Sequence, residues 1–329
     1  MERIHVVSST AKNPSIIRRS LRRTIFFIIA ILAIGSTFEP YNQAQLAVVL
    51  IYFIGVLSVT ILTGISGQIS LGQGALMAVG GYSTALLMTN YSVSLWIAVP
   101  ASIVGAGIAG ALLGIAAARL SGPYLAGTTL VIALAIPTIA NRFMSVFKGD
   151  EGLPVDVGYP PSWFTNLFGE PSYEEWQLYV ALPFAAIALF FASNLLLSRT
   201  GRMWKSIRDH ETAAALAGVN YSRQKIYVFI IASIFAGLAG ALYGLRGLVG
   251  PSVYPVALSL TLLTAAVLGG IGNIRGAFYG GLSLGLLEVY ASAILGTQWK
   301  AVTVFIVLVL VLLFKPNGLF GEAVQTTRA

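Results

Sequence analysis

The sequence of 329 residues has no cysteine, only two histidines and few charged side chains. Without cysteine the chain can form neither a disulfide nor a thiolate metal site. His5 and His210 lie far apart, so they give no metal-ligand spacing. The phosphate-binding pattern Gly-x-x-x-x-Gly-Lys-Ser/Thr is also missing from the sequence, which argues against a nucleotide site. We therefore expect no metal and no cofactor.

Most residues of the chain are apolar. Charged residues make up 10% of the chain and hydrophobic residues 57%, and the mean hydropathy is +0.82. Such a chain could not cover a soluble core with polar surface, so lipid must be its solvent. We predict an all-α integral membrane protein.

Ten apolar segments are long enough to cross a bilayer, or nearly so, and some of them are short or broken. Their approximate bounds are Thr24 to Phe38, Gln45 to Thr63, Ile69 to Met88, Leu95 to Ala118, Tyr124 to Phe147, Gln177 to Leu197, Ile226 to Tyr243, Val256 to Gly269, Ala277 to Leu295, and Ala301 to Phe314.

Basic residues set the expected orientation. If the N-terminus lies inside, 16 of the 20 Lys and Arg residues fall on the inner face, and only Arg142, Lys148, Arg246 and Lys300 fall outside. This asymmetry is what the positive-inside rule requires. Topology and anionic headgroups account for the basic excess, so we expect no nucleic-acid partner.

The segments divide the chain into three parts. We predict a basic cytoplasmic N-terminal segment over 1–23, a transmembrane domain over 24–314 and a cytoplasmic tail over 315–329. The domain includes an outer loop over 148–176, where the apolar stretch Trp163 to Phe168 predicts a short interfacial helix. That helix would serve as a platform for an outer partner or as a plug of the bundle.

A polar segment over 199–225, the coupling segment, lies between two apolar spans on the inner face. Its pattern predicts one helix with an apolar stripe, available to a partner outside the bilayer, and a stop at Gly218. The stripe comprises Met203, Ile207, His210, Ala214 and Ala217.

A second polar stretch, the Gly-Gln segment over 64–75, carries glycines and two glutamines within apolar surroundings. Such residues need partners inside the protein or a wet cavity, which favours a broken helix beside a translocation pathway. Close helix packing through small residues is the alternative. The pathway candidates here are Gly67, Gln68, Ser70, Gly72, Gln73 and Gly74.

A later stretch over 269–281 repeats part of this pattern and adds Gly272 and Asn273 as pathway candidates. Glu288 is an acid well inside a predicted span, where charging it alone would cost several kcal/mol. It is therefore either a functional intramembrane acid, as a proton-coupled carrier would need, or a structural one.

Five motifs together resemble one family. They are Gly64 to Gly74, Arg119 to Leu130, Gly201 to Gly218, Leu268 to Asn273, and Lys315 to Gly321. In order and spacing they are similar to the permease subunits of branched-chain amino acid ABC importers, specifically the M-type partner.

The resemblance implies a subunit of the prokaryotic plasma (inner) membrane that is not an enzyme and has no catalytic residue. It would work with an H-type second permease, two cytoplasmic ATP-binding subunits and an extracytoplasmic solute-binding protein. It also places the contact with an ATPase in the coupling segment. The residues implied are Gly201, Met203, Ile207, Arg208, Asp209, Glu211, Ala214 and Gly218. Their stretch Glu211-Thr-Ala-Ala214 has one more residue than the Glu-Ala-Ala loop of other importers.

Other functions stay open beside an importer of branched-chain or other neutral amino acids. They are an ABC permease for urea or short amides, a proton-coupled secondary carrier that uses Glu288, and a passive channel. The carrier and the channel would need no ATPase, so the basic coupling segment would have no evident use in either.

Overall fold

The computed structural model describes residues 14–120, 122–155, 157–296, 299–315 and 318–319. In these residues the chain forms fourteen α-helices and two very short strands. The helices are α1 (Pro14–Gly35), α2 (Pro40–Val59), α3 (Gln73–Tyr91), α4 (Leu95–Ala117), α5 (Pro123–Arg142), α6 (Met144–Phe147), α7 (Ser162–Phe168), α8 (Tyr173–Leu197), α9 (Arg199–Asp209), α10 (Glu211–Leu216), α11 (Tyr221–Gly244), α12 (Val256–Gly269), α13 (Ile274–Leu295) and α14 (Lys300–Phe314). The predicted all-α membrane fold is confirmed.

Each of the ten predicted segments contains a helix, and five helical stretches among the described residues are long and apolar enough to cross a membrane. These five are Pro40–Ile65, Leu95–Ala117, Pro123–Arg142, Tyr173–Leu197 and Tyr221–Gly244. The first joins α2 to a π-helix over Thr60–Ile65. The count of ten crossings stays a prediction.

Two of the predicted segments run past the end of their helix. α3 begins at Gln73 and not at Ile69, because Gly67 adopts a φ of +73° and the chain from there to Gly72 is not helical. α5 ends at Arg142, because Phe143 leaves helical geometry (φ −106°, ψ 56°) before the single turn of α6.

The centre of the bundle is α11, which packs against both α3 and α4. Gly80 of α3 lies against Gly237 of α11, and Gly110 of α4 lies against Ser233 of α11. A Cβ at Gly80 would overlap the backbone of Gly237, so the two helices approach more closely than any larger residue allows. Small residues thus fix the core on which the polar segments are mounted.

The coupling segment and the outer loop lie at opposite ends of the bundle. α8 separates them with 25 residues, which span about 37 Å at 1.5 Å per residue. At the end with the outer loop, the strand β1 (Leu153–Pro154) pairs antiparallel with β2 (Leu248–Val249), which follows α11.

The predicted interfacial helix forms as α7 in the outer loop. The ring of Phe164 packs on Trp176 and Tyr179 of α8 at centroid distances of 5.1 Å and 5.4 Å, whereas Trp163 is 59% exposed. One ring therefore closes over the bundle while its neighbour faces outward.

Two predicted terminal parts lie largely outside the described residues. These are the first 13 residues of the segment 1–23 and, in the tail 315–329, all but 315, 318 and 319. Leu319 donates its backbone N–H to the carbonyl of Leu268 (2.8 Å), so the tail begins beside the end of α12.

Candidate functional site

The coupling segment is two helices and not the single helix predicted. α9 ends at Asp209, His210 is extended (φ −152°, ψ 96°), and α10 begins at Glu211. The predicted stop is confirmed: Gly218 has a φ of +85°, and Val219 N–H donates to the carbonyl of Ala214 (3.1 Å). This is the bond pattern with which a glycine closes a helix.

Most of the predicted apolar stripe packs on the chain's own bundle. Ile207 and Ala214 are each 5% exposed, and Met203 is half-buried, whereas His210 and Ala217 are exposed. The expectation that Ile207 and Ala214 are free for a partner is therefore wrong. They anchor the coupling segment. The contact of this segment with an ATPase stays a prediction.

Two side-chain pairs hold the coupling segment on α11. The indole Nε1 of Trp204, a fully buried residue, donates to Gln224 Oε1 (3.0 Å). Lys225 Nζ forms an ion pair with Glu211 Oε1 (3.0 Å), with the lysine side chain only 10% exposed. The first pair fixes α9 and the second fixes α10, so both move with α11. Gly201 gives the close turn after α8, since a Cβ there would meet the carbonyl oxygen of Leu195 at 2.6 Å.

A third contact joins the coupling segment to the Gly-Gln segment. Arg208 donates from Nη1 to the carbonyl of Gly64 (2.8 Å), in the π-helix, and from Nε to Asp209 (3.0 Å). A Cβ at Gly67 would lie 2.8 Å from Cγ of Arg208, and a Cβ at Gly272 would lie 3.1 Å from its Nη1. The two predicted groups of residues, coupling and pathway, therefore meet at one arginine.

The glutamines of the Gly-Gln segment are buried and incompletely bonded. Gln68 donates to Ser66 Oγ (3.0 Å), and Gln73 accepts from Ser58 Oγ (3.2 Å). Within the described part of the chain, Gln68 Oε1 and Gln73 Nε2 have no hydrogen-bond partner. Ser70 accepts from the backbone N–H of Gly72 (3.2 Å), which shapes the turn into α3. Buried side-chain amides with an atom that lacks a hydrogen-bond partner are uncommon in proteins.

The glycines here also serve close packing. A Cβ at Gly72 would lie 3.1 Å from Thr129, and Gly74 donates its N–H to Ser259 Oγ (2.9 Å), where a Cβ would be crowded. Asn273 caps α13, accepting from the N–H of Arg275 (3.1 Å). Their role as pathway residues stays a prediction.

A small crevice of about 120 Å³ separates the coupling segment from the Gly-Gln segment. Ile207, Arg208 and Glu211 form one wall, and Gln68 forms part of the other. Contact between the two segments is thus partial.

Leu216 is a candidate that the sequence pattern missed. It is 87% exposed at the end of α10, the largest exposure of any large apolar residue in the coupling segment. Leu216 lies off the periodic stripe, so a search for one continuous apolar face passes over it. A single leucine in a polar, basic segment gives no signal by itself, because isolated apolar residues are common on protein surfaces.

Glu288 lies far from this group. It is half-buried on α13, on the wall of a cavity at the opposite end of the bundle that Tyr52 and Tyr243 also line.

Similarity to known proteins covers most of the chain. A family profile described as "Branched-chain amino acid transport system / permease component" matches residues 43–313. The chain belongs to this family. It is thus a multi-pass permease component of a bacterial ABC transport system, placed in the inner membrane, and not an enzyme.

The names of the individual relatives describe two types of permease and more than one transported solute. LivM, a high-affinity branched-chain amino acid permease protein of Escherichia coli, is 32% identical over 79% of this chain and 66% of its own length. LivH of Salmonella typhimurium is 30% identical over 80% of this chain and 89% of its own length. The L-arabinose permease protein AraH of Escherichia coli is 28% identical over 68% of this chain and 66% of its own length. The chain thus spans slightly under two thirds of the LivM protein. No solved structure matches it.

Proposed function

We propose that the chain is the M-type permease subunit of an ATP-driven importer for branched-chain or other neutral amino acids. It forms half of the translocation pathway, beside an H-type permease. Two cytoplasmic ATPases drive the importer, and an extracytoplasmic binding protein delivers the solute. The relatives named for branched-chain amino acid transport support the solute class, and the motif resemblance is the basis for the M-type assignment.

We infer that ATP hydrolysis is coupled to transport mechanically, through 199–225, because the chain has no nucleotide-binding motif of its own. Uphill transport needs a source of free energy, and the sequence has no phosphate-binding motif to supply it. An ATPase bound to the coupling segment would bias inward-facing and outward-facing states by binding one of them more tightly.

The proposal rests on one observation. The side chain of Leu216 is exposed on α10, and α10 is anchored to α11. The ion pair between Glu211 and Lys225 ties α10 to α11, so force on Leu216 reaches a helix at the centre of the bundle. We infer that Leu216 inserts into an apolar cleft of the ATPase, with Asp209 and Ala213 at its edge. Helices commonly dock in grooves in this way.

Substitution of Leu216 by serine tests the docking surface. Burial of a leucine side chain contributes about 1.5 to 3 kcal/mol, so its loss corresponds to a weakening of about tenfold or more in ATPase binding. We expect the Leu216→Ser variant to reach the membrane in normal amounts. Far less ATPase should co-purify with it than with the wild-type chain. Leu216→Met should restore recovery, and Thr212→Ala, on the same helix, should leave it unchanged. Normal recovery with Leu216→Ser would contradict the proposal.

Composition of the purified complex tests the wider assignment. Mass spectrometry should find one different permease, an ATP-binding subunit and a solute-binding protein, and the last should bind leucine, isoleucine or valine in calorimetry. A pair formed by two copies of this chain would contradict the heteromeric arrangement. A binding protein that takes urea or a short amide would contradict the amino acid assignment.

The proton-coupled carrier is the second candidate, favoured by the position of Glu288 on α13, on the wall of the cavity that Tyr52 also lines. It predicts that the chain alone, in liposomes, takes up solute under a proton gradient and loses this uptake with Glu288→Gln. Uptake that instead requires ATP and the ATPase excludes it. Downhill flux with neither ATP nor a gradient would indicate a channel.

A further inference from the structure

A cavity of about 560 Å³ lies at the end of the bundle that carries the outer loop. Its walls come from α2, α11, α12, α13 and α14, and from the connection between α11 and α12. This volume falls within the range of small-molecule binding sites, about 300 to 1,000 Å³. The cavity is separate from the coupling segment and the Gly-Gln segment.

Two tyrosines and two charged residues line one side of the cavity. The hydroxyl of Tyr52 donates to that of Tyr243 (3.3 Å), and their ring centroids are 5.8 Å apart. Glu288 lines the same cavity, and the guanidinium of Arg246 lies over the Tyr243 ring, 5.9 Å from its centroid. The cavity therefore presents a carboxyl group and a guanidinium beside the two tyrosines.

Three apolar side chains form another part of the cavity wall. Leu258 of α12, Leu284 of α13 and Val304 of α14 face the same space, and all three are buried. A cavity with a carboxylate, a guanidinium and an aliphatic wall matches a solute with an ammonium, a carboxylate and an apolar side chain.

We propose that this cavity binds a neutral amino acid as its zwitterion. Glu288 receives the ammonium group, Arg246 receives the carboxylate, and the leucine and valine side chains contact the aliphatic part. The inference rests on the proposed function for the class of solute, but it assigns Glu288 to solute binding and not to proton transfer.

The absence of native cysteine makes a direct assay possible. Ser252 lines the cavity and is exposed, so Ser252→Cys should react with a membrane-impermeant thiol reagent applied from the outside. Right-side-out membrane vesicles with the full chain and its co-expressed subunits would be labelled with and without L-leucine. Ser162→Cys, on α7 and outside the cavity, is the matched control. We expect leucine to slow labelling at Ser252→Cys and not at Ser162→Cys.

Analogues that lack one charge identify the contacts without a second substitution. Leucinamide has no carboxylate and 4-methylpentanoate has no ammonium group, so each should need at least about tenfold more than leucine for half-protection of Ser252→Cys. When Arg246→Gln is added, protection by leucine should weaken by about tenfold and protection by leucinamide should barely change. Glu288→Gln should weaken protection by leucine and leave 4-methylpentanoate unaffected.

The outcomes separate this inference from the proposed function. If leucine gives no protection, or if both analogues protect as well as leucine does, the cavity is not a zwitterion site. ATP-driven leucine uptake by the same vesicles would still support the proposed function. If uptake fails for every neutral amino acid while leucine protects Ser252→Cys, the proposed function fails and the binding site stands.

Discussion

Arg208 is the residue whose loss we expect to separate ATP hydrolysis from transport. It is the side chain that joins α9 to the π-helix through the carbonyl of Gly64, 144 positions earlier in the chain. Arg208→Met keeps a long, flexible side chain but removes both the hydrogen bond to Gly64 and the contact with Asp209. The ATPase should still bind, because Leu216 is untouched, but its motion should no longer reach the Gly-Gln segment.

The size of the effect follows from the geometry. A hydrogen bond to a charged group contributes about 1.5 to 3 kcal/mol. The side chain of Arg208 is 34% exposed, so water screens the interaction and the lower end of that range, about 1.5 kcal/mol, applies. That is about a tenfold change in the equilibrium between the joined and separated arrangements of α9 and the π-helix.

The assay is the number of solute molecules moved per ATP hydrolysed, in liposomes with the complete transporter. Arg202→Met is the matched control, because Arg202 lies on the same helix and also donates to a carbonyl, but to that of Leu197 only five residues away. We expect Arg208→Met to lower this ratio by up to about tenfold and Arg202→Met to leave it near the wild-type value. Equal ratios for the two variants would refute the role of Arg208 as a mechanical link.

Two further predictions concern topology and the Gly-Gln segment. Cysteines introduced by Ser206→Cys and Ser162→Cys should react from opposite sides of the membrane, since the two residues lie at opposite ends of the bundle; reaction of both from outside would overturn the orientation. Gly72→Leu should reduce the amount of folded protein, because its Cβ would lie 3.1 Å from Thr129, whereas Gln73→Leu should fold normally and slow uptake; unchanged kinetics and selectivity with Gln73→Leu would leave it a packing residue.

Sequence patterns predicted the helices well because hydropathy and charge are local signals. The polar coupling segment between two apolar spans could belong only outside the bilayer, and the glycine at 218 marked the end of its second helix. The break at His210 had no such signal. The alanine-rich run around it favours a continuous helix, and the break follows from anchoring α9 and α10 separately, through Trp204 and Glu211.

The meeting of two predicted sites at Arg208 was also out of reach of the sequence. Nothing in a local pattern relates an arginine to a carbonyl far earlier in the chain, or brings Gly64 against Gly272. The partial repeat around 64–75 and 269–281 suggested that both stretches serve one site, and the structure brings them into contact. The same limit hid the outer cavity, whose tyrosines, arginine and glutamate come from three separate helices and a loop.

The strand pair at the outer end has a consequence for how the protein is made. Leu153 pairs with Val249, so β1 leaves the ribosome 96 residues before its partner, and α8 and α11 must be inserted in between. At typical synthesis rates of about 5 to 20 residues per second, β1 waits unpaired for roughly 5 to 20 s. Pro154 removes one hydrogen-bond donor from β1 during that wait, which limits association with the strands of other nascent chains. A ribosome that stalled before Leu248 would leave β1 without its partner for good, so quality control has a distinct unpaired edge to detect on the outer face.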